Sequence, residues 1–121
     1  EQILMCQLTR SRKWTLPGGG IEFGEHPSQT MIREVQEETG YRVQEGNLIG
    51  VNSTLVVRED EDTEIHVVQI VYRTEITGGK LRTEENGSTD LCEWCDLEAL
   101  ASRNLSGVAE YAMAHLNQLV A

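Results

Sequence analysis

The stretch from Ser28 to Thr39 leaves this chain the least freedom in how it can fold. Met31, Ile32 and Val35 recur at helical spacing, Pro27 suits a first-turn position, and Gly40 suits the left-handed residue after the last turn. The other apolar segments read mostly as strands. Gln2 to Leu8 carries Ile3, Leu4 and Met5 at its centre, Leu48 to Arg58 and Ile65 to Ile76 are rich in Val, Ile, Thr and Tyr, and a short strand is expected around Leu91 to Cys95. The acidic run EDEDTE between the two long strands reads as a solvated hairpin loop. Leu97 to Ala101 starts a helical turn, and Gly107 to Val120 is an amphipathic helix through Val108, Ala109, Ala112, His115, Leu116 and Leu119. Helices inserted among strands imply an α/β fold with a mixed sheet covered on two faces.

With 121 residues, 39% of them hydrophobic, the chain has material for one core and reads as a single domain, 1–121. Glu1 rather than Met opens it, directly before an apolar run, so an N-terminal strand shortened at its start is expected. No apolar run approaches the roughly 20 residues that cross a bilayer, and the opening lacks the order of a signal peptide, which predicts a cytoplasmic protein with no membrane partner. Ten basic against 20 acidic residues, a net charge of −10, argue against nucleic acid as a partner. An anionic substrate remains compatible with such a chain if a divalent cation neutralises both sides locally. Three cysteines, Cys6, Cys92 and Cys95, are an odd number and fit a reducing compartment. The pair C-E-W-C has no matching second pair, and Cys92 is expected to pack beside Trp94 and Cys95 as core.

Glu34, Glu37 and Glu38 lie at i, i+3 and i+4 on the helix, within an arc of about 100°, next to the apolar stripe. Such glutamates are ordinarily a solvated face. Here they repel one another in the last turns, where the helix dipole already disfavours negative charge, and a bound cation would reverse the sign of both effects. Hard oxygen ligands suit Mg²⁺, with Mn²⁺ as an alternative. The glycine-rich loop LPGGGIEFGE before the helix can bring backbone close to a ligand.

Joined together, Gly19, Glu25, Arg33, Glu34, Val35, Glu37, Glu38, Gly40 and Tyr41 stand in the order G-x(5)-E-x(7)-R-E-U-x-E-E-x-G-U, with U a bulky apolar residue. This arrangement resembles the Nudix box. Ile3-Leu4-Met5 with Trp14-Thr15-Leu16-Pro17 resembles the lead-in of such domains, and Glu93-Trp94 with Asp96-Leu97-Glu98-Ala99-Leu100 resembles a later segment. Tyr41, Thr30 and Met31 depart from the commoner residues, and His26 stands at the cap position where Ser or Thr is usual, which weakens capping.

The resemblance implies a Nudix-type α/β/α sandwich with a mixed β-sheet. It implies metal binding by Glu34, Glu37, Glu38 and the Gly19 carbonyl, orientation of a glutamate such as Glu37 by Arg33, and an outer position for Glu25. The reaction implied is attack of water on a nucleoside diphosphate linked to a group X. Candidates for the general base are Glu38 and Glu37 first, then Glu84, with Glu85, Asp90 and Glu93 in the same downstream region. The basic loop Arg10, Arg12 and Lys13 reads as surface that can also reach substrate phosphates. Signals that elsewhere in the family accompany ADP-ribose, dinucleoside polyphosphate, NADH and coenzyme A substrates are absent, which leaves a nucleoside triphosphate or a related small nucleotide. The resemblance also raises a homodimer, with the C-terminal helix turned inward or against a partner. A non-catalytic nucleotide-sensing domain is the alternative.

Overall fold

In a computed structural model, residues 1–58, 62–82 and 89–120 are described, without the side chains of 89, 90 and 117–120. The elements in chain order are β1 (Gln2–Leu8), β2 (Trp14–Thr15), α1 (Pro27–Thr39), β3 (Tyr41–Arg58), β4 (Thr63–Gly79), β5 (Thr89–Asp96), a 3₁₀ turn (Leu97–Ser102) and α2 (Gly107–Val120). Both helices and the two long strands fall where the apolar periodicity puts them, but of the acidic run read as a loop Thr63 and Glu64 belong to β4 and residues 59–61 lie outside the described residues. β3 and β4 run further toward the body of the protein than Val/Ile/Thr content alone predicts, because polar residues such as Arg42, Gln44 and Glu45 also take up ladder positions.

β1 is the centre of a three-stranded sheet of order β2-β1-β5, paired antiparallel on both sides. It is apolar on both faces, which is why Leu4, Met5 and Cys6 are consecutive buried residues. Met5 packs with Cys95, Leu100 of the 3₁₀ turn and Ala109 of α2. Leu4 and Cys6 pack on the other face with Cys92 and Tyr41. Two apolar clusters on opposite faces of one sheet are the middle of a sandwich. Parallel pairing enters as a single bridge between Trp14 and Leu105, held by Trp14 N–H to the Asn104 carbonyl and Ser106 N–H to the Trp14 carbonyl, both 2.8 Å.

β3 and β4 form a separate antiparallel hairpin with irregularities near Arg42 and between Glu45 and Gly50. α2 packs on β3 and turns Ala109 and Ala112 inward, where both are buried, so this helix faces the core of its own chain. α1 ends on Gly40, whose φ of 85° is the left-handed cap and whose N–H donates to the Gln36 carbonyl at 2.9 Å. A Cβ there would run into the Lys80 carbonyl.

The cysteines differ from the reading of three reduced thiols. Cys6 and Cys92 are direct partners across β1 and β5 and are joined in a disulfide. Cys95 is the free, buried thiol, and burial pushes its pKa up. Cys92 and Cys95 do not pack together, because residues three apart on a strand point to opposite faces. Among the described residues no helix is long and apolar enough to cross a membrane.

Candidate functional site

The site begins with how α1 is started. His26 is its cap and performs better than its residue type predicts. The ring Nδ1 accepts from the Ser28 N–H at 3.1 Å, while the Gln29 side chain accepts from the His26 N–H at 2.8 Å, a reciprocal capping box. An imidazole can accept at this position as a hydroxyl does, so capping is intact.

Glu25, just before the cap, is the hub of the loop. Its Oε2 accepts from Arg33 Nε at 2.8 Å and its Oε1 from Arg33 Nη2 at 3.0 Å, a two-point grip. The Thr30 hydroxyl and the Glu22 N–H also donate to Oε1, at 2.6 and 3.1 Å. Arg33 first, then Thr30 and the Glu22 N–H, lower the Glu25 pKa to about 2. The Arg33 guanidinium is in turn held more firmly protonated, by Glu25 first and Glu34 next. Thr30 is a contributor that motif reading passes over. Its signal was a hydroxyl at a position where alanine is frequent, one turn before the arginine.

Arg33 therefore has a different main partner from the one its spacing predicts. Its Nη1 lies 2.7 Å from Glu34 Oε1 and 3.4 Å from Glu37 Oε2, and its Nη2 donates to the Gly20 carbonyl at 3.2 Å. The guanidinium ties the loop to the helix, and Glu37 is its longest hydrogen bond, with Glu22 further off at 3.9 Å. The fork geometry explains this, since the Nε edge is taken up by the Glu25 carboxylate.

The glycine loop lies directly on the carboxylate face. A Cβ on Gly19 would collide with the Glu34 carboxyl group, so only glycine allows that approach. One residue earlier, the Gly18 N–H donates to Glu38 Oε2 at 3.2 Å. Glu38 is buried, at 4% exposure, and a buried carboxylate demands such donors. Cys92 Sγ stands 3.6 Å from the Glu38 carbonyl oxygen, placing the disulfide under the last turn of α1.

The predicted residues are thus brought together in part. Glu34 and Glu38 both abut the glycine loop, through Gly19 and Gly18. Glu37 is half-exposed, at 49%, and borders a separate hollow with Arg33, Gln36 and Arg82. Among the described residues no three carboxylate, histidine or cysteine side chains are gathered in one metal-holding group. Arg33 Nη1 contacts both Glu34 and Glu37. In kind, the donors fit a hard divalent cation: carboxylate oxygens and a loop whose backbone approaches them without side chains. Glu84 and Glu85 lie outside the described residues, as does the Asp90 side chain. Glu93 is paired with Arg103 at 2.7 Å and stands on the Met5 face of β5, opposite the Cys92 face that meets Glu38. Strand alternation therefore removes Glu93 from the site.

A cavity of about 780 Å³ opens beside the loop, lined by Gly18, Gly19, Gly20 and Glu38 and continued by apolar walls that include Tyr41 and Trp94. Its volume is in the range of small-molecule sites. Arg10, Arg12 and Lys13 sit on an exposed turn and do not line it.

A glycine loop docked on a carboxylate helix, within a sheet covered by helices on both faces, defines a class of domain. The chain belongs to the NUDIX family, whose domain model matches residues 1–116. It is similar to an ADP-ribose pyrophosphatase of Methanocaldococcus jannaschii, 34% identical over 87 residues that make up 72% of this chain and 48% of that protein. It is likewise similar to a MutT-like protein of Streptomyces ambofaciens, 37% identical over 87 residues covering 72% of this chain and 51% of the relative. The chain spans about half the length of these curated relatives. Among solved structures it resembles a MutT NUDIX hydrolase from Burkholderia pseudomallei, with a TM-score of 0.80 at 24% identity over 94% of this chain and 87% of that one. A NUDIX hydrolase from Nitrosomonas europaea superposes with a TM-score of 0.80 at 15% identity, covering 97% and 80%. At these identities the likeness is one of fold.

Proposed function

We propose that this chain is a pyrophosphohydrolase that cleaves the diphosphate of a nucleoside diphosphate linked to X, with Mg²⁺ as its ion. The observation that carries the reading is the docking of Gly18 and Gly19 on Glu38 and Glu34, with Gly18, Gly19 and Glu38 lining the cavity. Glu34, Glu37, Glu38 and the Gly19 carbonyl are the groups that would hold the ion. When bound, it supplies charge neutralisation and a more acidic water.

The remaining work falls to the chain itself. Arg33 and Glu25 pin the loop to the helix, so that Gly19 keeps its distance from Glu34. The Gly18 N–H holds one oxygen of Glu38 in place. Glu38 and Glu37 are the first choices for accepting the proton of the attacking water, with Glu84 next. The apolar walls of the cavity take the organic part of the substrate and exclude water from the reacting end.

Relatives named for ADP-ribose pyrophosphatase and for MutT make two substrate classes the ones to compare. The motif reading favours a nucleoside triphosphate or related small nucleotide. A panel of nucleoside triphosphates and ADP-ribose, with and without Mg²⁺ and with products identified, tests the proposal. Mg²⁺-dependent turnover of at least one member, lost in Glu38→Gln, is the expected result. Tight binding across the panel without any turnover would establish the nucleotide-sensing alternative instead.

A further inference from the structure

Among the described residues three aromatic side chains line the cavity, those of Tyr41, Tyr72 and Trp94, and two of them form a unit. The rings of Tyr41 and Trp94 meet edge to face, with centroids 6.0 Å apart and planes at 63°. The indole Nε1–H donates to the Tyr41 hydroxyl at 3.2 Å. Both residues are anchored. The Tyr41 N–H donates to the hydroxyl of fully buried Thr39 at 3.2 Å, and the Tyr41 side chain packs on Leu4, Cys6 and Cys92. Trp94 is the cross-strand partner of Leu4 and shares the face of β5 that carries Cys92. It therefore stands one strand repeat, roughly 7 Å, from the cysteine that meets the Glu38 carbonyl. Trp94 is nonetheless 38% exposed, so a large ring with a fixed orientation keeps open surface at the cavity.

We propose that the Tyr41 and Trp94 pair is a specificity-determining platform on which the aromatic base of the substrate stacks, so that the chain selects nucleoside anhydrides over phosphate anhydrides that carry no base. The inference rests on the pyrophosphohydrolase reading for where the phosphates lie, which is at Glu38 and the glycine loop of the same cavity. Charge supports it. Arg73 is the one basic side chain among the described residues that line the cavity, and the chain carries a net charge of −10. The organic end of an anionic substrate is therefore held there by contacts that are mainly not ionic. Stacking on rings that are already locked supplies such contacts at small cost in side-chain freedom. It also tolerates different bases, since each of them has a π-face. A single polar group adds to this. With the indole N–H engaged, the Tyr41 hydroxyl keeps its own proton to donate to an acceptor on the base. An aliphatic side chain at 41 would supply neither that donor nor the ring against which Trp94 is fixed.

Calorimetric titration in Mg²⁺ compares α,β-methylene-ADP, whose bridge cannot be hydrolysed, with methylenediphosphonate, the same bridge without a nucleoside. The wild-type chain should bind the nucleotide analogue more tightly. Trp94→Leu should weaken that binding by roughly 5- to 150-fold, the range for one lost base–aromatic stack, and leave methylenediphosphonate unchanged. Trp94→Phe, which restores an aromatic face, should recover most of the loss. Equal affinity of the wild type for the two ligands overturns the proposal. So does a Trp94→Leu variant that binds both as the wild type does, or that weakens both alike. If Trp94→Leu fails to fold, tryptophan emission decides. α,β-Methylene-ADP should quench the wild type and methylenediphosphonate should not, and the quench should vanish in Trp94→Phe, where Trp14 remains on the Met5 face of the sheet. A quench that survives Trp94→Phe overturns the platform. Binding is read here without turnover, so a chain that hydrolyses nothing in the substrate panel strikes the reaction and leaves the platform standing. Turnover with binding that does not depend on Trp94 does the reverse.

Discussion

Arg33 grips Glu25 at two points, Nε to Oε2 at 2.8 Å and Nη2 to Oε1 at 3.0 Å, and so fastens the glycine loop to the helix that bears the proposed ion-holding carboxylates. Neither residue is placed to touch the reacting phosphorus in this reading. Supporting groups of this kind typically contribute 10–100-fold in activity or metal affinity. Glu25→Gln keeps the shape of the side chain and loses the charge, so kcat/KM should fall by roughly 10- to 100-fold. Steady-state kinetics at saturating Mg²⁺ check this, and an unchanged kcat/KM would strip the pair of any role beyond folding.

The same pair ties stability to acid pH. The Glu25 pKa is lowered from 4.5 to about 2 by Arg33, Thr30 and the Glu22 N–H. A carboxylate depressed in the folded state contributes its full stabilisation above the unfolded pKa and loses it as pH falls toward the folded one. The difference in urea midpoint between wild type and Glu25→Gln should therefore be constant above about pH 4.5 and shrink as pH falls toward 2. A difference that widens with acidification would contradict the assignment.

Gly19→Ala separates function from fold. Its Cβ would strike the Glu34 carboxyl, while the loop around it is not part of the apolar core. Activity should drop at least about 100-fold, since misplacement by about 1 Å near a reacting centre carries that penalty, with only a small change in melting temperature. A large loss of melting temperature at near-normal activity would show that the loop is structural.

The cysteine arrangement predicts a simple titration. Intact mass under non-reducing, denaturing conditions should show one free thiol, that of Cys95, and reduction should release two more. Cys95 should react slowly in the native state, because it is buried and its pKa is raised. Three free thiols without reductant would remove the disulfide.

Much of this was legible from residue order. The helix between Pro27 and Gly40 is written in apolar spacing and in two residues with restricted or unusual φ, both local effects. The docking of Gly19 on Glu34 was foreshadowed by a glycine cluster next to glutamates. The partner of Arg33 was not legible, because Glu37 at i+4 and Glu25 across a loop are equally available to a long side chain until the loop has a path. The cysteine pairing was hidden for a similar reason. Cys6 and Cys92 become neighbours only through the register of β1 on β5, which no local pattern states. His26 shows the limit of cap statistics, because what the helix start requires is an acceptor atom, and imidazole has one.

The disulfide also sets what a single backbone cut can release. Cys6 and Cys92 lie 86 residues apart, and α1, β3 and β4 all fall between them, so these elements form a covalently closed circuit. A protease that nicks the chain once anywhere between the two cysteines leaves two pieces that still travel as one molecule until a reductant parts them.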